Sequence, residues 1–241
     1  MRFPVSCPIH IVMIGCGGTG GYIAPQLYRL LYAVFRPSTV ILCDGDLVEK
    51  KNLVRQNFVS CDLGRNKAEV LAERYSAAFG MECRYVPRYI ESEEELRQLL
   101  LPERADALVI LIGAVDNNRS RRMCNDVFYK AKNLVYIDSG NGLATGQVVC
   151  GVRKGGRTVQ KPVAGFYPDI LDPTDKFPSE LSCAEASVSS PQAMTANLMA
   201  ATLTLCMLYN IIAGGELATR MTTFSSKTVN VRPLLSKRRV A

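Results

Sequence analysis

Histidine is almost absent from this sequence, which contains only His10. Mechanisms that pair a serine or cysteine nucleophile with a histidine base therefore have a single candidate base. His10 stands at the start of an apolar run, and we expect it to be structural. The sequence also has no C-x-x-C pair, so the usual spacing of zinc ligands and of dithiol redox centres is missing. We expect no zinc site.

The nine cysteines are scattered singly along the chain. Their odd number and the lack of a signal peptide indicate reduced thiols, so we expect a cytoplasmic protein. Cys43, Cys150 and Cys206 lie in apolar runs, where we expect small buried hydrophobic side chains. The net charge of +7 is compatible with nucleic acid, polyphosphate or an acidic partner. Because no basic stripe is interleaved with aromatic residues, we expect no nucleic-acid binding.

Charged residues are absent from Gln192 to Gly215, a stretch long enough to span a bilayer. Six polar residues interrupt it, which is many for a lipid environment: Gln192, Thr195, Asn197, Thr202, Thr204 and Asn210. We therefore predict a buried helix in a protein core or dimer interface, and no membrane partner. The apolar cover that such a helix needs favours a homodimer.

Apolar runs typical of strands alternate with helical patterns along most of the chain. The runs are 10–14, 39–43, 83–86, 107–112, 134–137 and 147–152, and the helical patterns are 23–34, 66–79, a segment from Ser92, and 116–130. This alternation predicts an α/β fold, a Rossmann-like doubly wound mixed sheet with a parallel N-terminal part and antiparallel C-terminal strands. We expect one domain over 1–241, with a long irregular crossover at about 153–191 and a last strand at 228–231.

The first strand leads into Gly15-Cys16-Gly17-Gly18-Thr19-Gly20, which is followed by a helical pattern. Glycines in such a loop permit a tight turn, let the backbone approach phosphate and allow close helix packing. Asp44 ends the second strand, where a carboxylate can accept hydrogen bonds from ribose hydroxyls. These features alone fit a dehydrogenase and a nucleotidyltransferase equally well.

Cations that follow Asp44 distinguish the two. Arg55 lies in the segment Lys50–Phe58, and Lys67 comes soon after it. A triphosphate needs several cations, because charge must be neutralised along the chain and on the leaving pyrophosphate. Asp116 follows the fourth strand, at the edge where open α/β sheets bind ligands, and is a natural magnesium ligand. The set favours ATP with Mg²⁺ over NAD.

The ordered motifs GCGGTG, DGD with NLVRQNF, GRNKAE and VDNNRSRR resemble the adenylate-forming core of the ubiquitin-activating-enzyme superfamily. The form most similar is the ThiF/MoeB type of adenylyltransferase, and the short chain also resembles the ThiF-like proteins of PRTRC systems in overall pattern. The resemblance implies an enzyme that activates the C-terminal carboxylate of a ubiquitin-like or sulfur-carrier protein as an acyl-adenylate. Because the chain ends soon after this core, we expect that acceptor to be a separate chain.

The resemblance also implies roles for individual residues. Asp44 would hold the ribose, Asn52 and Arg55 would contact the phosphates, and Lys67 would stabilise charge at the α-phosphate. Asp116 would bind magnesium, with Asn117 beside it. Together with the loop, the expected nucleotide-binding set is Gly15, Gly17, Gly18, Gly20, Asp44, Asn52, Arg55, Lys67, Asp116 and Asn117.

A further resemblance covers Leu181–Gly215, which matches a family segment of cysteine, small residues and core helix. In the members that form a thioester or persulfide, this cysteine is the nucleophile, and here it is Cys183. A thiol near a helix N-terminus can have a lowered pKa. The alternative is a packed loop cysteine. For the whole protein, two alternatives stay open: an NAD-dependent oxidoreductase, and a non-catalytic nucleotide-binding module.

Overall fold

The computed structural model describes residues 1–172, 174, 176–180 and 192–236, and within them nine strands form one mixed sheet. The strands are β1 (Ile9–Ile14), β2 (Ser38–Cys43), β3 (Cys83–Val86), β4 (Leu108–Gly113), β5 (Leu134–Asn141), β6 (Thr145–Lys154), β7 (Arg157–Gln160), β8 (Thr219–Ser225) and β9 (Asn230–Leu235). Their order is β3-β2-β1-β4-β5-β6-β8-β9, and β7 pairs with β6. Strands β1 to β5 are parallel and the later pairs are antiparallel. The predicted fold class is confirmed.

Five α-helices connect the strands or follow them in the described part of the chain. They are α1 (Gly18–Val34), α2 (Lys67–Phe79), α3 (Glu93–Leu99), α4 (Asn118–Lys130) and α5 (Met194–Ile212). The side chains of Asn66, Ser92 and Asn117 cap α2, α3 and α4 by accepting backbone N–H hydrogen bonds. Each cap satisfies donors that the first helical turn leaves free, so short polar residues fix where these helices begin.

The central strands are buried on both faces, which explains why β1 and β4 are apolar apart from His10. Alternate residues of β1 enter different cores: Ile11 and Met13 pack with α1, α2 and α5, whereas Val12 and Ile14 pack with α3 and α4. The parallel strands all run the same way, so their carboxyl ends form one edge. The loop after β1 lies at this edge, between β2 and β4, where the strand order reverses.

Two strands were not predicted from the sequence. Strand β7 lies in the stretch that was expected to be irregular, and β8 lies where no element was predicted. A two-residue turn, Gly155-Gly156, joins β6 to β7, and both glycines have positive φ, 57° and 76°. Glycine adopts this conformation without strain, so the turn closes a hairpin at the start of the predicted crossover. Strand β8 also escaped prediction. Short 3₁₀ helices occupy 163–165, 168–171 and 178–180 of the same stretch.

Helix α5 is long and apolar enough to cross a bilayer by length and composition. Half of its most apolar window is nevertheless buried within the protein, where α5 packs against α1, β5 and β6. Asn197 and Thr204 are fully buried on this face, which fits a core helix with polar positions. Cys206 is exposed on the opposite side, so its predicted burial is wrong, while Cys43 and Cys150 are buried as expected.

Candidate nucleotide site at the carboxyl edge of the sheet

The glycine-rich loop packs directly against the chain that leaves β4. Gly15 has a φ of 91°, and a Cβ there would lie 2.8 Å from the carbonyl carbon of Ala114. A Cβ on Gly20 would collide with the carbonyl group of Gly15. Both positions therefore require glycine for the turn to close and for α1 to begin against it. The backbone N–H groups of Gly15 and Cys16 donate to Cys43 and Asp44, whereas those of Gly17 and Gly18 lie at the N-terminus of α1, an arrangement that suits phosphate.

Asp44 holds this loop in place from the end of β2. Its two carboxylate oxygens accept hydrogen bonds from the backbone N–H groups of Cys16, at 2.6 Å, and Asp46, at 2.8 Å. Burial raises the pKa of Asp44 to about 6, although the nearby Lys67 ammonium opposes the shift. A carboxylate that accepts two such bonds still has lone pairs for ribose hydroxyls. The geometry is thus compatible with the predicted ribose contact.

Lys67 is the first residue of α2 and is only 4% exposed. Its ammonium group lies 2.7 Å from a carboxylate oxygen of Asp46. Partial burial would raise the pKa of Asp46, but Lys67 and the hydroxyl of Tyr89, which donates to the same carboxylate, outweigh it and lower the pKa. This ion pair keeps the Lys67 charge fixed at the carboxyl edge, beside Asp44.

Asn52 and Arg55 belong to one turn, whose geometry gives them different tasks. Asn52 is buried, and its side-chain oxygen accepts the N–H of Glu49 at 2.8 Å, so it stabilises the 3₁₀ turn at 50–52. Arg55 extends from this turn towards the loop. A Cβ on Gly18 would lie 2.9 Å from Nη1 of Arg55. The same Nη1 donates to Oε1 of Gln192 at 3.1 Å, a contact that holds the guanidinium beside the loop.

Asp116 and Asn117 follow β4. Asn117 accepts the N–H of Ser120 at 2.8 Å and caps α4. Asp116 is exposed and lines a cavity of about 560 Å³. The part of the chain that the structure describes contains no group of three metal-binding His, Cys, Asp or Glu side chains. A single carboxylate is nevertheless what magnesium uses when phosphates and waters complete its shell, so Asp116 fits that kind of site.

Arg121 of α4 also lines this cavity, whose walls continue along Gly140, Asn141, Gly142, Thr145, Gly146, Gln147, Gln192, Thr223 and Phe224. Its guanidinium pairs with Asp138 at 3.4 Å and donates to the carbonyl oxygen of Val115. Asp138 is fully buried, and burial raises its pKa against the effect of Arg121. The hydroxyl of Tyr136 donates a hydrogen bond to the other carboxylate oxygen of Asp138, at 2.8 Å. This pairing fixes a cation between the β4 edge and the cavity.

The structure therefore brings Asp44, Arg55 and Lys67 together around the loop, and Asp116 to the adjoining cavity. Cys183 lies outside the described residues. Four residues at the site were not predicted as site residues from the sequence: Tyr89, Arg121, Gln192 and Asn197. Arg121 lies within the quoted motif VDNNRSRR, which was the available signal. The other three reach the site only through tertiary packing.

Solved structures with the same fold include PaaA and E. coli MccB. PaaA superposes with a TM-score of 0.66 at 16% identity, over 94% of this chain and 64% of its own. MccB in its structure with succinimide gives a TM-score of 0.67 at 18% identity, over 94% of this chain and 63% of MccB. The structure of MccB with ATP gives a TM-score of 0.63 at 19% identity, over 94% of this chain and 63% of MccB. The chain thus spans less than two thirds of these proteins, and the likeness shows the fold.

Comparison with curated protein sequences gives no match. The sequence profile of the ThiF family, in contrast, matches residues 8–240, which is nearly the whole chain. The match includes the glycine-rich loop, the turn with Arg55, the start of α2 and the β4 edge. On this evidence the chain belongs to the ThiF family.

Proposed function

We propose that this protein is an ATP-dependent adenylyltransferase that activates the C-terminal carboxylate of a separate ubiquitin-like or sulfur-carrier protein. In the reaction, a carboxylate oxygen attacks the α-phosphorus of ATP and the bond to the bridging oxygen breaks. The products are an acyl-adenylate and pyrophosphate. Family membership and the MccB structures with ATP and with AMPCPP support the nucleotide part of the proposal.

The observation that carries the proposal is the placement of two cations around the glycine-rich loop. Arg55 approaches Gly18, and Lys67 is held by Asp46, two residues after Asp44. Negative charge moves from the α-phosphate to the leaving pyrophosphate during adenylation. Fixed cations stabilise that charge without reorganising at the moment of reaction. A dinucleotide oxidoreductase has no step that requires this arrangement.

Magnesium, when bound, would neutralise the phosphate oxygens and orient the leaving pyrophosphate. Asp116 is the residue that we assign to hold it. Arg121, fixed by Asp138, lies across the same cavity. We assign the cavity to the acceptor's C-terminal segment, whose carboxylate must reach the α-phosphate. The MccB structures with MccA support a substrate that is a separate chain.

Calorimetric titration tests the nucleotide assignment. We expect AMPCPP with magnesium to bind and NAD not to bind, because the site supplies cations for a triphosphate. The same titration without magnesium should give weaker AMPCPP binding, and Asp116→Asn should remove most of the difference. Tight NAD binding without AMPCPP binding would instead favour the oxidoreductase. ATP–pyrophosphate exchange in the presence of a candidate acceptor then distinguishes catalysis from a nucleotide-binding module.

Cys183 is proposed as a nucleophile that acts after adenylation. Its thiolate would attack the acyl carbon, forming a thioester while AMP leaves. Cys16 belongs to the loop, but burial raises the pKa of its thiol well above the ordinary value, so it stays protonated. We expect Cys183→Ala to keep ATP–pyrophosphate exchange and to lose any covalent adduct with the acceptor on a non-reducing gel. An adduct that persists in Cys183→Ala would contradict this role.

A further inference from the structure

Two hydrogen-bond donors converge beside Gly18. At the position that a Cβ on Gly18 would take, Nη1 of Arg55 is 2.9 Å away and the amide carbon of Asn197 is 2.7 Å away, with Nδ2 of Asn197 closer still. Asn197 belongs to α5 and is fully buried. Its Nδ2 has no hydrogen-bond partner among the described residues. A buried amide donor without a partner is costly, so its presence at a phosphate loop needs an explanation.

A chain of hydrogen bonds fixes which end of the Asn197 amide faces the loop. Thr19 donates to Oδ1 of Asn141 at 3.0 Å, and Nδ2 of Asn141 donates to Oδ1 of Asn197 at 2.9 Å. The same Nδ2 lies 3.3 Å from the carbonyl oxygen of Gly142, which accepts hydrogen bonds only. The Asn141 amide therefore cannot be turned round without losing that bond, and Asn197 presents its N–H₂ group to Gly18.

We propose that Asn197 is a phosphate-binding residue of the nucleotide site, which supplies a neutral donor opposite the Arg55 guanidinium. An anionic oxygen between the two groups accepts from both, and satisfies the Asn197 amide. Because Gly18 has no side chain, both donors can approach the backbone of the loop this closely. This inference rests on the proposed ATP site and adds to it a residue from α5, far away in sequence.

A neutral donor has a specific use at this position. The acceptor carboxylate and the α-phosphate are both negative, so a site for their reaction must bind phosphate firmly without excess positive charge that would trap the products. An amide donates a hydrogen bond to phosphate without adding charge. Asn141 also lines the 560 Å³ cavity, so the hydrogen-bonded pair links the phosphate position to the surface that we assign to the acceptor.

Titration of Asn197 variants with AMPCPP and magnesium tests the inference. We expect Asn197→Leu, which keeps the branched shape but loses the donor, to weaken AMPCPP binding at least about tenfold. Asn197→Asp should weaken it more, because a carboxylate would repel the phosphate. Adenosine has no phosphate, so its binding, followed by saturation-transfer NMR, should stay unchanged in both variants. Thr204→Val is the matched control, since Thr204 is another buried polar residue of α5 that bonds only within its own helix.

The parent protein provides a second measurement, which does not depend on whether a variant folds. In ¹⁵N-labelled protein, the side-chain amide signal of Asn197 should shift when AMPCPP binds and stay in place with adenosine. Two results would show a purely structural role and overturn the inference. One is an equal loss of affinity for AMPCPP and for adenosine in Asn197→Leu, and the other is an amide signal that does not shift when AMPCPP is added. Failure of the parent protein to bind AMPCPP at all would instead overturn the proposed function.

Discussion

Arg55 and Lys67 have the same charge but different surroundings, so their removal should have different consequences. Arg55 is partly exposed and contacts Gln192, whereas Lys67 is buried in an ion pair with Asp46. Deleting Lys67 leaves the Asp46 carboxylate without its cation and should cost folding stability as well as activity. Arg55 is therefore the cleaner probe of chemistry.

For Arg55→Ala we expect adenylation to fall about a hundredfold, since one preorganised contact to the transition state is worth about 3 kcal/mol. The melting temperature should change little. The measurement is ATP–pyrophosphate exchange, with Arg97→Ala as control, because Arg97 is an exposed arginine of α3 whose ion pair in the described part of the chain is with Glu94. Normal exchange in Arg55→Ala would show that the guanidinium does not act on the phosphates.

Asp44 should make nucleotide binding depend on pH. Its pKa in the free protein is about 6 because of burial, and only the ionised form accepts hydrogen bonds from both ribose hydroxyls. Binding through the ribose therefore favours loss of the proton, so affinity should rise as the pH increases through about 6. We expect this rise for ATP between about pH 5 and about pH 8.

The terminal phosphate of ATP also ionises in this range, so the control is 2′,3′-dideoxy-ATP, which has the same phosphates and no ribose hydroxyls. The ratio of the two affinities should increase with pH in calorimetric titrations. A constant ratio would show that Asp44 serves the loop alone, through Cys16 and Asp46.

At the scale of the element, the turn from β1 into α1 depends on which glycines lack space for a methyl group. A Cβ on Gly20 would collide with Gly15, whereas one on Gly21 would meet Cys16 and Asn57 at ordinary distances of 3.4 and 3.6 Å. Gly20→Ala should therefore destabilise the protein by about 3 kcal/mol, the upper range for overpacking. Gly21→Ala should be close to neutral, since alanine favours a helix. Thermal unfolding of both variants checks this, and equal stability would refute the packing account.

The helices and strands that the sequence predicted well are those with a local physical cause. Asn66, Ser92 and Asn117 are caps that could be recognised beside their helices, and the central strands are apolar because both faces are buried. Strand β8 was missed because only Thr222 and Phe224 are buried in it, which leaves no clear apolar pattern. The hairpin at Gly155-Gly156 was missed although its turn residues were present in the sequence.

The candidate site divides in the same way. Asp44, Arg55, Lys67 and Asp116 follow strands or motifs, so order along the chain was enough to propose them. Asn197 was not predictable, since it meets Gly18 only because α5 packs against α1. A contact between residues so distant in sequence depends on the whole topology and cannot be predicted from a local sequence pattern.

At the scale of the whole molecule, α5 connects the site to the surface. Its buried face holds Asn197, and a neighbouring side of the helix exposes Leu198, 38% accessible, and Tyr209, 59% accessible. These two positions lie eleven residues apart, three turns along the same side of the helix. The uncharged sequence of this helix predicts a homodimer that covers it, and the exposed side is where such cover is still needed.

We therefore expect light scattering at micromolar concentration to give twice the 26.5 kDa mass of the chain. The double variant Leu198→Glu with Tyr209→Glu should be a monomer, because a dimer would have to bury unpaired carboxylates. Val159→Glu is the control, a similar change at an exposed position of β7, and should leave the mass unchanged. A parent protein with the mass of one chain would refute the dimer. A double variant that remains dimeric would place the interface on another surface, and α5 would then contribute to the nucleotide site through Asn197 without forming the interface.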